Sequence, residues 1–265
     1  MTEGPFVFHA MPSAGLHVAF TGVDAGNLAF HVSGGSEDGA PGRPGAAAEA
    51  VAQARTRLER DMGVAPGRTE YLTQVHSARV VAATGRGWAG SGARPEEGDA
   101  LVSPTGRDPL AIMVADCLPV VFASRRPGGA ELTGPTAVAH AGRRGLLDGV
   151  LEATVDRLRA AGAGDAPGEV VAWVGPGICG RCYEVPEDMH RDGVARIPAA
   201  GSTTSWGTPA LDLAAGAAAV LDRLGVTVHR DDRCTFEDGR LFSHRRAPGE
   251  GRFAGLVWRT GERAA

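Results

Sequence analysis

Hydrophobic and polar positions along the chain fall into two rhythms. Short apolar runs bounded by glycine, proline or polar residues read as strands: "GLHVAFTGV" and "NLAFHVS" near the start, then "TEYLTQVHSARVVAA", "DALVS", "LAIMVADC", "PVVFAS" and "TAVAHAG", later "EVVAWVGPG", and finally "RFAGLVWRT". Three longer stretches follow the helical period. "AAAEAVAQARTRLERDMGV" spaces Val51, Leu58 and Met62 on one face and ends at Gly63. "GLLDGVLEATVDRLRAAGA" aligns Leu147, Leu151, Val155 and Leu158, and "PALDLAAGAAAVLDRLGV" is expected to open at Pro209. Strands and helices interleave without strict βαβ alternation. The pattern therefore predicts an α+β protein with mixed sheets rather than a doubly wound fold. Residues 33–46, "SGGSEDGAPGRPGA", read as a mobile Gly/Pro/Ser loop too close to the start to divide domains, so a single domain over 1–265 is expected.

Composition narrows the function. A formal net charge of −4 and the lack of any long basic run give no footing for nucleic acid or an anionic membrane surface. No segment approaches the apolar length of a membrane span, and the start lacks a secretory pattern, so a cytoplasmic protein with small soluble partners is expected. The cations, 27 in all, are arginines without exception, which removes Schiff-base chemistry and a Walker-type lysine. Of the four cysteines, "CGRC" has CxxC spacing, but no second CxxC or nearby His pair completes a zinc site, and the flanks do not suit a redox motif. Cys179 and Cys182 are read as buried packing.

Three metal-competent side chains interrupt or end apolar strands: His76 in "LTQVHSARV", Cys117 in "MVADCLPVV" and His140 in "TAVAHAGRR". Each alone is an ordinary core or surface residue. Together, two imidazoles and a thiolate make a three-ligand site suited to zinc, with a fourth position open to water or substrate. Asp116, beside the thiol, is expected either to orient a ligand or shuttle protons, or to serve as a turn residue.

The blocks "QVH", "GDALVS", "ADCLPVVF", "AVAHAG", "VGPGICGRCYEV" and "LFSHRRAPGEGRFAGLVW", in that order, resemble the YfiH family, also known as the multicopper polyphenol oxidase (laccase) or peptidoglycan editing factor family. The resemblance implies an α/β/β/α sandwich related to bacterial cytotoxic-factor deamidases. It also implies a zinc site made by His76, Cys117 and His140, and phosphorolysis of purine nucleosides such as adenosine, inosine and methylthioadenosine together with deamination of adenosine. Nucleoside and phosphate are then the partners. Phosphorolysis needs an anion held beside the sugar, and Arg55, which matches an arginine of the family's helix, is the leading phosphate anchor. The chain departs from the family where "HAGRR" replaces the usual "HAGW": Arg143 stands for an aromatic of the pocket and is expected to bind the base by stacking and hydrogen bonding. The early loop "TGVDAGN" is shorter than the family's.

Two other chemistries compete. Copper can take a His2Cys set, giving a laccase-like phenol oxidase, but among the eight histidines no HxH pair occurs to build a trinuclear cluster. A cysteine hydrolase or peptidoglycan editing factor would instead use Cys117 as nucleophile and His140 as base. Metal content separates these readings, because a metal-bound thiolate is not a free nucleophile.

Overall fold

The computed structural model describes residues 4–32, 46–88, 95–166 and 169–261. The chain begins with a hairpin of β1 (Phe6–Ser13) and β2 (Leu16–Thr21). Helix α1 (Ala46–Asp61) leads to β3 (Val80–Ala82), β4 (Ala100–Ser103), β5 (Leu110–Val114), β6 (Leu118–Ser124) and β7 (Thr136–Ala141). Helices α2 (Arg143–Leu147) and α3 (Val150–Ala160), strand β8 (Val170–Val174) and helix α4 (Glu187–Arg196) follow. A small hairpin, β9 (Gly201–Thr203) and β10 (Pro209–Leu211), then precedes α5 (Leu213–Arg223), β11 (Thr227–Arg230) and β12 (Phe253–Arg259).

Two sheets stack face to face. The four-stranded sheet has the order β1-β2-β12-β5 and is antiparallel throughout. The six-stranded sheet, β11-β8-β6-β7-β4-β3, is mixed, with parallel pairs at its two edges. Period-two alternation sorts the side chains into layers. In β2, Leu16, Val18 and Phe20 meet Val121, Val138 and Trp173 of the other sheet, whereas Ala19 turns toward Ala54, Leu58 and Met62 on the α1 side. In β6, Val120 and Phe122 face Leu151, Val155 and Val220 of α3 and α5. The result is the expected α/β/β/α sandwich, and β6 is apolar throughout because both its faces are buried.

Several local expectations change. "NLAFHVS" is no strand: Leu28 and Ala29 are buried and a short 3-10 turn, Phe30–Val32, follows. The second helix breaks in two where Gly149 adopts φ +92°. Pro209 opens β10 rather than a helix, and α5 starts after Asp212, whose carboxylate accepts the Ala215 N–H as an N-cap. Most of "TEYLTQVHSARVVAA" is loop, strand only at Val80–Ala82, so His76 does not sit on a strand. The expected mobile segment 33–46 lies outside the described residues, apart from Ala46, which begins α1.

Candidate active site

The site lies where the chain crosses from one sheet to the other. β5 belongs to the four-stranded sheet and β6 to the six-stranded one, with only Ala115, Asp116 and Cys117 between them. Asp116 makes the turn at φ +86°, and His76 is held at φ +59°; among the described residues these are the two non-glycine positions with positive φ. Such backbone costs about 1–3 kcal/mol and persists where neighbours enforce it. Asp116 is enforced by its own side chain: Oδ1 accepts the Thr235 hydroxyl at 2.6 Å and Oδ2 accepts the Arg245 N–H at 2.6 Å, while its carbonyl accepts Ile178 N–H. Hydrogen bonds to a charged acceptor contribute about 1.5–3 kcal/mol each, enough to offset the strain. Pro119 fits in a central strand because it stands opposite Gly175, one residue past the end of β8: its carbonyl accepts the Gly175 N–H, and the donor that proline lacks is missed only beyond the paired strand.

The fold gathers His76, Cys117 and His140, far apart in sequence. Their donor atoms all lie within 4.8 Å of one another. Cys117 Sγ stands 4.0 Å from His76 Nε2, and the two imidazoles meet edge to face with centroids 4.7 Å apart. The sequence reading missed the residue that organises them, Asp99. Fully buried, it accepts the N–H groups of Val75, His76 and Ser77 and the Ser77 hydroxyl, which shapes the His76 loop. Its Oδ1 also lies 2.8 Å from His140 Nδ1, which fixes the ring and leaves Nε2 for the cluster. A buried carboxylate opening the apolar run "DALVS" was the available signal.

Electrostatics follow from this contact set. Burial alone would raise Asp99, but hydrogen bonds from His140 and Ser77 outweigh it and hold the carboxyl at about 2. Burial would also raise the Cys117 thiol, yet the facing His140 and His76 bring it down to about 6. In His140, burial opposes the charged ring, and the Cys117 thiolate and Asp99 overcome it to lift the pKa to about 9. In both groups the facing partner favours the charged form against the cost of burial.

The donor set fits a tetrahedral metal ion. It supplies two imidazole nitrogens and one depressed thiol, one histidine has a carboxylate behind it, and Gly142 leaves room. A Cβ on Gly142 would stand 2.8 Å from Cys117 Sγ and 3.5 Å from His140 Nε2. Two clefts open onto the cluster. One, of about 340 Å³, is walled by Gln74, Met113, Ile178, His244 and Arg252, and Asp116 reaches it. The other, of about 510 Å³, is walled by Arg143, Arg144, Glu184 and Met189. Tyr183 and Arg245 line both.

Of the sequence candidates, the structure brings Asp116 and Arg143 to the site but not Arg55. Arg55 is buried in α1, donates from Nε and Nη2 to the Leu28 carbonyl at 2.9 and 2.8 Å, and lies over the Tyr71 ring at 3.6 Å. Among the described residues it lines neither cleft, and it reaches the first from behind, where Nη2 meets Met113 Sδ at 3.5 Å and its charge bears on His31. Sequence also missed Arg245, Arg252 and Tyr183. Cys179 and Cys182 pack in a buried apolar cluster, as the sequence suggests, and Cys234 and Glu237 join them in a four-residue group whose donor atoms lie within 4.8 Å of one another. Cys182 and Cys234 are buried, Cys179 half-buried.

A sandwich of this kind, with a His2Cys cluster where two arginine-bearing clefts meet, defines an enzyme-like site poised for metal or nucleophilic chemistry. The family model described as multi-copper polyphenol oxidoreductase laccase matches residues 28–260, and the chain belongs to this family, the YfiH family. It is 41% identical over 210 residues to a purine nucleoside phosphorylase of Streptomyces griseus, covering 79% of this chain and 81% of that protein. It is 43% identical over 211 residues to a purine nucleoside phosphorylase of Streptomyces coelicolor, covering 79% and 82%. Among solved structures, a Neisseria meningitidis protein superposes with TM-score 0.77 at 32% identity, covering 97% of this chain and all of that one. No helix among the described residues is long and apolar enough to cross a membrane.

Proposed function

We propose that the chain is a zinc-dependent purine nucleoside phosphorylase that also deaminates adenosine. The observation that carries the reading is the His76–Cys117–His140 cluster, backed by Asp99, at the meeting point of two clefts bearing arginines. Its support from outside is the name carried by the relatives. In phosphorolysis, a phosphate oxygen attacks the sugar C1′ as the C1′–N9 bond breaks and the purine leaves with the bonding pair. Arg143 offers its fork to a phosphate dianion in the second cleft, and Arg245, whose Nη1 and Nη2 also donate to the Glu184 carbonyl at 3.3 and 3.2 Å, adds positive charge beside it. The nucleoside then occupies the first cleft, against Gln74, Met113 and Ile178, with Arg252 donating to the purine edge as it takes up charge. Asp116, already accepting from Thr235 and Arg245, holds the clefts in register rather than moving protons. Zinc on His76, Cys117 and His140 would supply a Lewis acid with an open position and an acidified water, the requirement for replacing the C6 amine of adenosine and releasing ammonia.

The test is product analysis on adenosine, inosine and methylthioadenosine with and without phosphate. Free base that appears only with phosphate, together with ribose 1-phosphate from adenosine or inosine or 5-methylthioribose 1-phosphate from methylthioadenosine, supports the reading; the absence of phosphate-dependent base release from all three overturns it. Hypoxanthine or inosine formed from adenosine reports the deaminase part.

A second reading rests on one specific observation. Cys117, His140 and Asp99 stand in the order nucleophile, base and orienting carboxylate, with the thiol already at about 6. A chain that purifies without metal and carries a freely alkylated Cys117 would favour a cysteine hydrolase. The copper oxidase reading has the description of the family model behind it; among the described residues, the histidines that could hold a metal are His76 and His140, in the one His2Cys group.

A further inference from the structure

Behind the pocket wall lies a second set of donors that the proposed chemistry does not use. Cys179 and Cys182 sit in a tight turn, where the Cys182 and Tyr183 N–H groups both donate to the Cys179 carbonyl at 2.9 Å. Cys234 is brought beside this turn by a bridge to Gly177, reinforced by the Thr235 N–H donating to the Gly177 carbonyl at 3.0 Å. The Cys179 N–H points at Cys234 Sγ at 3.4 Å, and Cys182 Sγ is 3.5 Å from Glu237 Oε1. No disulfide joins these thiols. A tetrahedral zinc with Zn–S bonds of about 2.3 Å sets its sulfurs about 3.8 Å apart, within the 4.8 Å envelope of these four donor atoms.

Three thiols facing one another and one carboxylate make an odd packing choice if nothing joins them. Ile178 and Phe236 surround the group with apolar surface, and Arg181 lies 3.8 Å from the other Glu237 oxygen, offsetting the negative charge a metal-thiolate centre would carry. We propose that Cys179, Cys182, Cys234 and Glu237 bind a structural zinc ion, distinct from the His76–Cys117–His140 centre. Binding releases one proton from each of the three thiols and forms three Zn–S bonds and one Zn–O bond; no oxidant or reductant is needed. With all four positions filled by protein, the centre has no vacancy for substrate. Its effect is mechanical. It clamps the 178–183 turn, which carries Ile178 and Tyr183 of the clefts, to the 234–237 segment, whose Thr235 grips Asp116.

The test is metal counting on the full chain purified without chelator, with no reliance on activity. Wild type is expected to carry about two zinc equivalents, and a His76→Ala/His140→Ala double variant about one. Adding Cys182→Ser or Cys234→Ser to that background should remove the remainder. Cobalt substituted into the double variant should give an intense thiolate-to-metal charge-transfer band with tetrahedral d–d bands. Should the serine variants not fold, Glu237→Ala, a change at an exposed residue, is expected to lose zinc to a chelator at least about tenfold faster. In wild type, an organomercurial should also release the second zinc in step with three thiols. A double variant that purifies without metal and takes up no cobalt overturns the proposal. So does a native mass showing a disulfide among the three cysteines, or organomercurial titration of all three without metal release.

Discussion

The two donor clusters are built from similar side chains and differ in nearly everything around them. His76, Cys117 and His140 supply three donors beside two clefts, with positive-φ backbone at His76 and at Asp116 next to Cys117, and Asp99, a buried carboxylate, steers the two histidines. Cys179, Cys182, Cys234 and Glu237 supply four, sit in a turn stitched by backbone hydrogen bonds, and open to no cleft through an unfilled position. The two proposals turn on this difference: three donors with an oriented histidine would leave a metal an open position suited to turnover, and four donors would saturate one and suit stability.

Substitution should divide the clusters most sharply. Cys117→Ser or His140→Ala should abolish turnover, a loss beyond the roughly 10–100-fold that follows removal of an outer partner; of the two, Cys117→Ser should keep the higher Tm, because His140→Ala also leaves Asp99 buried without its partner. Cys234→Ser should do the reverse, lowering Tm while keeping much of kcat; measuring both quantities on both variants breaks the comparison if they move together. Asp99→Asn comes next. Losing the carboxylate behind His140 should weaken metal retention or kcat/KM about 10–100-fold, checked by zinc competition and steady-state kinetics. The smallest effect concerns thiol reactivity in metal-stripped protein. Cys117 alkylation should rise with pH through about 6, because the thiolate accumulates above its folded pKa, whereas burial first of all pushes Cys182 and Cys234 up. The rate gain for Cys117 at neutral pH should be only about two- to threefold, since a thiolate of lower pKa is a weaker nucleophile. Peptide mass mapping of the alkylated sites against pH checks both statements.

Legibility of these features in the sequence followed locality. Cys117 and His140 announce themselves by interrupting or ending buried strands, and the helices over Val155 and Val220 show their period openly. Strand β1 was missed because its pattern FVFHAMPS is half exposed, and α4 because EDMHRDGVAR has only a thin apolar face. The loop that carries His76 takes its shape from Asp99, a partner more than twenty residues away, so no local rhythm reveals it. Arg55 shows the opposite error. A cation on a helix invites a functional reading, but burial against Tyr71 and the Leu28 carbonyl gives it a structural task. Cys234 could be joined to the CxxC turn only by the parallel bridge to Gly177, which is a product of the fold.

The position of β12 between β2 and β5 bears on how the molecule is made. During synthesis, every strand of the six-stranded sheet, from Val80 to Arg230, emerges before residue 253. The four-stranded sheet lacks its bridging strand until then, and β2 and β5 each present an unpaired edge on the nascent chain. Ribosomal pausing or truncation between residues 230 and 253 would leave those edges open to pairing with other chains. The segment between β11 and β12 also brings Arg245, whose N–H secures the Asp116 turn, so the junction proposed as the active site takes shape only after the whole six-stranded sheet has been made.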